Sequence, residues 1–158
     1  MVNDRLAAGG RRGARVVHGF DLGRIEAAIR AAEKRTSGEI RVALSRWYFW
    51  GDVRRAAERL FPRLGMHRTR QRNGVLIFVA PWRRRFAVLG DEGIHARVPA
   101  NFWDEIAAVL AAGFRAGERT AAVERAIAAI GGGLAQHFPY DPATDVAELP
   151  DDVVDDVS

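Results

Sequence analysis

Residues 74–80 read GVLIFVA, an uninterrupted apolar run with three β-branched residues. Such a run predicts a strand that is buried on both faces, as in the centre of a sheet. Residues 39–45, EIRVALS, predict a second strand. Residues 86–89, FAVL, follow a short arginine-rich turn and predict a third strand, antiparallel to the central one. The sequence therefore predicts a small mixed sheet.

Four helices are predicted around this sheet from the spacing of their apolar residues. Their opening residues are Asp21, Asp52, Asn101 and Thr120. The triple glycine at 131–133 should weaken the end of the fourth helix. A helix that joins two parallel strands makes a right-handed β-α-β crossover. Helices on both faces of the sheet then give an α/β fold, a three-layer α/β/α sandwich.

Composition divides the chain into three parts. Residues 1–19 are rich in glycine and arginine and predict a flexible arm, residues 20–140 the folded domain, and residues 141–158 an acidic tail. Residues 1–140 hold 24 basic and 13 acidic residues, whereas residues 141–158 hold seven acidic residues and no basic one. The body therefore favours anionic partners. The tail could lie against the body or extend into solvent.

Several classes of protein are excluded by what the sequence lacks. The chain has no cysteine, which excludes disulfides, thiolate metal sites and cysteine nucleophiles. No stretch approaches the ~20 apolar residues of a membrane span, and the first residues have no signal-peptide core. We expect a cytoplasmic monomer without an organic cofactor. No complete catalytic constellation is visible, so the residues alone do not indicate a reaction.

Two aromatic and basic runs directly follow the first two predicted strands. Residues 46–50 read RWYFW, and residues 81–85 read PWRRR. If the strands are parallel, both runs emerge at the same edge of the sheet, the one formed by the carboxyl ends of these two strands. We name it the aromatic rim. Its candidate interaction residues are Trp47, Trp50, Trp82, Arg83, Arg84 and Arg85.

The aromatic rim has two interpretations. Aromatic tips and cations together suit the headgroup zone of an anionic membrane. In the alternative, which concerns residues 47–50, alternating members complete the core beneath the first helix and only one or two rings are exposed. We do not expect nucleic acid as a partner, because RNA-binding signatures are absent.

The opposite edge, formed by the amino ends of the same two strands, carries candidate metal ligands. We name it the acidic edge. The third strand should end near the start of the first, which brings Asp91 and Glu92 close to Glu39. Carboxylates from glycine-flanked loops could hold Ca²⁺ or Mg²⁺. The alternative is a polar turn at residues 90–93, with Glu39 paired to an arginine such as Arg72. A second candidate cluster on the aromatic rim, with helix capping as its alternative, consists of Asp21, Asp52 and Glu118.

Several short motifs occur in a specific order along the chain. They are Ala32-Glu33, TSGEIRV at 36–42, RNGVLI at 72–77, GDEGIH at 90–95, FRAG at 114–117 and HFP at 137–139. Together they resemble the TPM domain family, over roughly residues 20–151.

The resemblance implies an α/β/α sandwich. Plant thylakoid members are linked to photosystem II repair and have been called acid phosphatases, and some members bind calcium through clustered carboxylates. Many bacterial members carry a signal peptide and a membrane anchor. This chain shows neither, and it resembles the compact soluble bacterial branch, whose function is often unassigned.

These observations favour a binding or adaptor module with divalent-cation binding. Its partner would be an unidentified protein or an anionic membrane surface. One alternative is a metal-dependent, acid phosphatase-like hydrolase, with Asp91 and Arg72 as catalytic candidates. In that case Arg72 would bind the substrate phosphate. A second alternative is peripheral association with an anionic membrane through the aromatic rim.

Overall fold

The computed structural model describes residues 15–143, 145 and 147–157. The first elements are a hairpin, β1 (Val16–Val17) with β2 (Phe20–Asp21), and helix α1 (Leu22–Glu33). Next come β3 (Glu39–Ser45), α2 (Val53–Arg63), β4 (Gly74–Ala80) and β5 (Arg85–Gly90). The remaining elements are α3 (Glu92–His95), α4 (Phe102–Arg115), α5 (Arg119–His137) and β6 (Val154–Val157).

The central sheet is mixed, with the strand order β5-β4-β3-β6. Strands β3 and β4 are parallel, with Glu39 opposite Gly74, and β5 runs antiparallel to β4. Helix α2 connects the two parallel strands, so the predicted crossover unit is present. Because β3 and β4 are parallel, the two runs that follow them leave the sheet at the same edge.

The sheet lies between two helical layers. Alternate residues of β4, such as Ile77 and Phe78, belong to separate cores because successive side chains of a strand point to opposite faces. Ile77 shares its core with residues of α1, α4 and α5. Phe78 shares the other core with residues of α2. The predicted α/β/α sandwich is therefore confirmed.

Helix α5 continues through the triple glycine to His137. A Cβ atom on Gly133 would lie 2.3 Å from Cε2 of Phe102, and one on Gly131 would lie 2.9 Å from Cβ of Ala32. The glycines therefore allow α5 to pack closely against α4 and α1. The sequence predicted a weakened end because glycine has a low helix propensity. The close packing compensates for that low propensity.

The described part of the acidic segment lies against the body. Strand β6 pairs with β3 in parallel, and Arg46 Nη2 lies 2.8 Å from Asp155 Oδ2. Of the two alternatives for the tail, the structure shows contact with the body. A four-residue edge strand that contains two aspartates gives almost no periodic signal, so the sequence did not predict β6.

The start of the chain is partly described. Residues 1–14 of the predicted arm lie outside the described residues, and the arm ends in the β1–β2 hairpin. The division into arm, domain and tail stays a prediction. Within the described ranges, no helix has the length and apolar character required to cross a bilayer.

Candidate functional site

The two runs of the aromatic rim are in direct contact. The indole Nε1 of Trp82 donates a hydrogen bond to the carbonyl oxygen of Arg46 at 2.9 Å. The guanidinium of Arg83 donates to the carbonyl oxygens of Phe49 and Gly51. The side chains of the second run thus hold the first run in place. The juxtaposition predicted from the sequence is present.

Most rings of the aromatic rim face solvent. Trp47 is 69% exposed, Trp50 is 87% exposed, and Trp82 is 62% exposed. Tyr48 is also exposed, whereas Phe49 packs on Phe78 in the core below α2. The alternative in which only one or two rings are exposed is therefore wrong. Phe49 is thus the ring of the RWYFW run that packs into the core, and it anchors the loop together with Trp82 and Arg83.

The three arginines of the aromatic rim have different surroundings. Arg83 is half-buried, and its guanidinium lies 5.3 Å from the ring centroid of Phe49. Arg84 and Arg85 are exposed and form no ion pair with any described residue. Arg83 therefore stabilises the loop, and Arg84 and Arg85 remain available to a ligand.

At the acidic edge, Arg72 and Asp91 form a two-point ion pair. Arg72 Nε lies 2.7 Å from Asp91 Oδ2, and Nη2 lies 3.0 Å from Oδ1. Glu92 Oε1 lies 3.3 Å from Nη1 of the same guanidinium. The hydrogen bonds to Asp91 raise the pKa of Arg72. The two catalytic candidates are thus bound to each other, and a phosphate would compete with Asp91 for the same donors.

The metal-ligand set predicted from the sequence at the acidic edge does not form. Asp91 is buried and caps α3 by accepting a hydrogen bond from the Glu92 N–H. Glu39 accepts from the Glu148 N–H at 2.7 Å, not from an arginine as the alternative proposed. Among the residues that the structure describes, no three His, Asp or Glu side chains are grouped to hold a metal ion. Metal binding stays a prediction.

The second predicted cluster is also explained by local contacts. Asp21 accepts a hydrogen bond from the Arg24 N–H and caps α1, and Asp52 accepts from the Arg55 N–H and caps α2. Glu118 pairs with Arg125 at 2.9 Å. For the two aspartates, the capping alternative is therefore correct.

The sequence did not predict a carboxylate pair formed by Glu33 and Glu39. Burial raises the pKa of Glu33 to about 9, and the nearby charges of Glu39 and Asp151 contribute. Burial likewise raises the pKa of Glu39. Glu33 ends α1 and accepts a hydrogen bond from the Ile40 N–H at 2.9 Å. In the sequence, Glu33 has the appearance of an ordinary polar residue at the end of a helix. The only signal that distinguished it was its place in the Ala32-Glu33 motif.

A cavity of about 350 Å³ adjoins this pair. Its walls include Tyr140 and the acidic residues Asp145 and Asp151 of the C-terminal segment. Glu39 Oε2 is buried and has no hydrogen-bond partner among the described atoms. The segment from residue 141 therefore adds negative groups next to carboxylates that are already buried.

Comparisons with known proteins agree with this architecture. The BA42 protein from the psychrophilic bacterium Bizionia argentinensis, solved by NMR, is 37% identical with a TM-score of 0.79, over 85% of this chain and 91% of that chain. The N-terminal domain of a P. gingivalis protein is 17% identical with a TM-score of 0.55, over 71% of this chain and 72% of that chain, and supports the fold alone. A comparison with curated proteins gives no match.

A family model described as the TPM domain matches residues 12–132. The match spans the hairpin, the first three strands of the central sheet and the five helices up to Gly132 in α5. It includes both edges of the sheet. The chain belongs to the TPM domain family.

Proposed function

We propose that this chain is a binding module that associates peripherally with an anionic membrane through the aromatic rim. The observation that carries the proposal is the exposure of Trp47, Trp50 and Trp82 on one edge of the sheet. Rings in this position contribute little to the core, and indoles are favoured where an apolar surface meets water. A cytoplasmic location beside the membrane is part of the proposal.

Charge supports an anionic surface as the partner. Arg84 and Arg85 lie beside the exposed rings and have no acidic partner among the described residues. A cationic residue close to an anionic membrane contributes ~1 kcal/mol of binding free energy. The acidic edge lies at the other ends of β3 and β4, away from such a surface. The orientation of the molecule on the membrane follows from this polarity.

Co-sedimentation with lipid vesicles tests the proposal. We expect binding to vesicles that contain phosphatidylglycerol and not to pure phosphatidylcholine, with a loss of affinity as salt is added. The double variant Trp47→Ala/Trp50→Ala should bind at least about tenfold more weakly, because two interfacial rings are removed. Tyr140→Ala is the control, since Tyr140 is an exposed ring outside the aromatic rim.

Two results would contradict the membrane proposal. One is equal vesicle binding by the double variant and the wild type. The other is retention of a specific protein on the aromatic rim, lost in the double variant, without any binding to vesicles. The second result would support an adaptor that recognises a protein partner.

A second proposal concerns divalent cations at Glu33 and Glu39, and it is supported by the buried, unpaired Oε2 of Glu39. A cation would replace the proton that the raised pKa values retain on this pair. Ca²⁺ takes about six to eight oxygen ligands, so water and backbone carbonyls would complete the set. Asp91 and Glu92 have no part in this proposal, because Arg72 binds them.

Calorimetry with Ca²⁺ at two pH values tests the cation proposal. We expect tighter binding and smaller proton release at pH 9 than at pH 7, because the pair must lose its proton before it binds the metal. Glu39→Gln should abolish binding, whereas Glu92→Gln, at an exposed carboxylate, should leave it unchanged. A flat titration of the wild-type protein would exclude this site.

The phosphatase alternative stays a prediction. Its test is turnover of p-nitrophenyl phosphate by the pure protein with Ca²⁺ or Mg²⁺. Activity that is lost in both Arg72→Gln and Asp91→Asn would support it. Activity that is unchanged in both variants would indicate a contaminating enzyme.

A further inference from the structure

A second, larger cavity lies between the aromatic rim and the turn that joins α4 to α5. Its volume is about 510 Å³, within the usual range of small-molecule sites. Its walls are formed by the end of β4, the start of β5, the end of α4 and the start of α5. Neither the family match nor the proposed function assigns it a ligand.

The wall of this cavity is strongly cationic. It includes four arginines, which are Arg84, Arg85, Arg115 and Arg119. None of the four forms an ion pair within the described part of the chain. Arg119 uses one donor on the carbonyl oxygen of His18, and the acidic neighbours Glu118 and Asp21 are engaged with Arg125 and the cap of α1. Cations collected in this way repel one another, and a multivalent anion would relieve the repulsion.

The floor of the cavity is aromatic. Phe20, Phe86 and Phe114 all line it, with ring centroids 5.9 Å apart for Phe20 and Phe114 and 5.7 Å apart for Phe86 and Phe114. Both contacts are edge-to-face, a favourable arrangement that holds the rings in place. An apolar group of a ligand could therefore rest on the floor while its charged group contacts the arginines.

The backbone of Arg84 provides a separate observation. Arg84 has φ +51°, in the left-handed region that glycine adopts with less strain. The chain thus has a long cationic side chain at a position where its own backbone would favour glycine. Strain of this kind is often found at binding sites, although His18 and Arg72, which do not line the cavity, have the same conformation in this chain.

We propose that this cavity binds a phosphate monoester with an apolar body. Guanidinium groups bind phosphate oxygens with paired hydrogen bonds, and several of them around one site match a dianion better than a carboxylate. The positive end of the 19-residue helix α5 lies at the same wall and adds to the attraction. The source of this chemistry is either a free aryl or alkyl phosphate or the headgroup of phosphatidic acid.

Two of the four arginines, Arg84 and Arg85, also belong to the aromatic rim, but the proposal goes beyond membrane association because Arg115, Arg119 and the aromatic floor lie outside it. Arg115 is the most informative position, since it is exposed, lines the cavity and makes no hydrogen bond or ion pair among the described residues. Its replacement should therefore leave the fold intact. Arg59 is the matched control, an exposed arginine of α2 on the other face of the sheet that likewise has no such partner.

Titration with phenyl phosphate, followed by calorimetry and NMR, tests the site. We expect saturable binding of one phenyl phosphate per chain and weaker binding of inorganic phosphate, which lacks the ring. Arg115→Gln should weaken binding at least about tenfold, the effect of losing a charge-assisted hydrogen bond. Arg59→Gln removes the same charge and should change nothing. Arg84→Gly should weaken binding while leaving the free energy of unfolding unchanged or higher.

Vesicles distinguish the two sources of phosphate. Binding to phosphatidic acid that depends on Arg115, without binding of phenyl phosphate, would support the site and identify a lipid headgroup as its ligand. Loss of vesicle binding in Trp47→Ala/Trp50→Ala with intact phenyl phosphate binding would separate the cavity from the aromatic rim and support both. Binding of neither ligand, or equal weakening by Arg115→Gln and Arg59→Gln, would overturn the proposal.

Discussion

The two edges of the central sheet satisfy their charges in opposite ways. At the acidic edge, Asp91 is buried against Arg72, and Glu39 is buried beneath the C-terminal segment. At the aromatic rim, the rings face solvent, and Arg84 and Arg85 have no acidic partner among the described residues. Charges that are paired internally mainly hold the fold together. Charges without an acidic partner and rings that face solvent are available for a ligand.

The direction of the strands agrees with this division. The aromatic rim lies at the carboxyl ends of the parallel pair β3 and β4, the edge at which sheets of this kind commonly bind ligands. The acidic edge lies at the amino ends, where the turns before β3 and β4 meet the end of β5. Four predictions, three of them with a matched second substitution, would break or sharpen the comparison.

The largest effect is expected at Gly93, in the closely packed turn of the acidic edge. A Cβ atom there would lie 2.3 Å from the carbonyl oxygen of Gln71 and 2.7 Å from that of Arg72. Because both are backbone atoms, Gly93→Ala should lower the free energy of unfolding by about 3 kcal/mol. Thermal unfolding should show a fall in Tm of about 10 °C.

Gly51, in the open loop of the aromatic rim, is the matched control. Apart from its two neighbours in the chain, no described residue comes within 4 Å of the position that a Cβ atom on Gly51 would take, so only its φ of +106° opposes a side chain. Gly51→Ala should cost about 1 kcal/mol. If the two variants lose equal stability, the acidic edge is not packed more tightly than the aromatic rim.

Asp91→Ala should have the next largest effect. It removes the cap of α3 and leaves the Arg72 guanidinium without its buried partner, so we expect a loss of about 2 kcal/mol in urea unfolding. Glu92→Ala removes the other, exposed partner of Arg72 and should cost no more than about 0.5 kcal/mol. Equal losses would show that burial of the carboxylate does not decide the strength of the pair.

Glu33→Gln should stabilise the protein at alkaline pH. The pKa of Glu33 is about 9 in the folded protein against an ordinary value of 4.5, so the folded state retains a proton that the unfolded state releases in this range. The free energy of unfolding of the wild type should therefore fall as the pH rises from 4.5 to about 9. In urea unfolding with a chelator present, the variant should show a flatter profile. A steeper profile would contradict the assignment.

The smallest effect on stability is expected at Trp50. Its ring is 87% exposed, so Trp50→Ala should change the free energy of unfolding by less than about 0.5 kcal/mol. The neighbouring Phe49→Ala should cost about 1 kcal/mol, because that ring is partly buried against Phe78. The two variants together distinguish Phe49, which anchors the loop, from Trp50, whose ring is available to a ligand. Equal costs would mean that the Trp50 ring is also structural.

Much of the site could be placed from the sequence. The apolar run at residues 74–80 and the strand at residues 39–45 fixed the parallel pair, and the pair brought the RWYFW and PWRRR runs to one edge. Asp21 and Asp52 marked the starts of α1 and α2 because an N-cap depends on local chemistry. The same reasoning placed Asp91 and Arg72 at the acidic edge, but it did not predict their ion pair.

The sequence by itself determined the four long helices, three strands of the central sheet, the layers and the polarity of the sheet, because periodicity and capping act over a few neighbouring residues. Only the tertiary structure decided the buried Glu33–Glu39 pair, the attachment of β6 and the arginine-lined cavity. These features join residues that are distant along the chain, such as Phe20 with Phe114 and Glu39 with Glu148. A raised pKa depends on burial, and a cavity depends on how its walls pack. Both are decided by everything that surrounds a residue and leave no local pattern in the sequence.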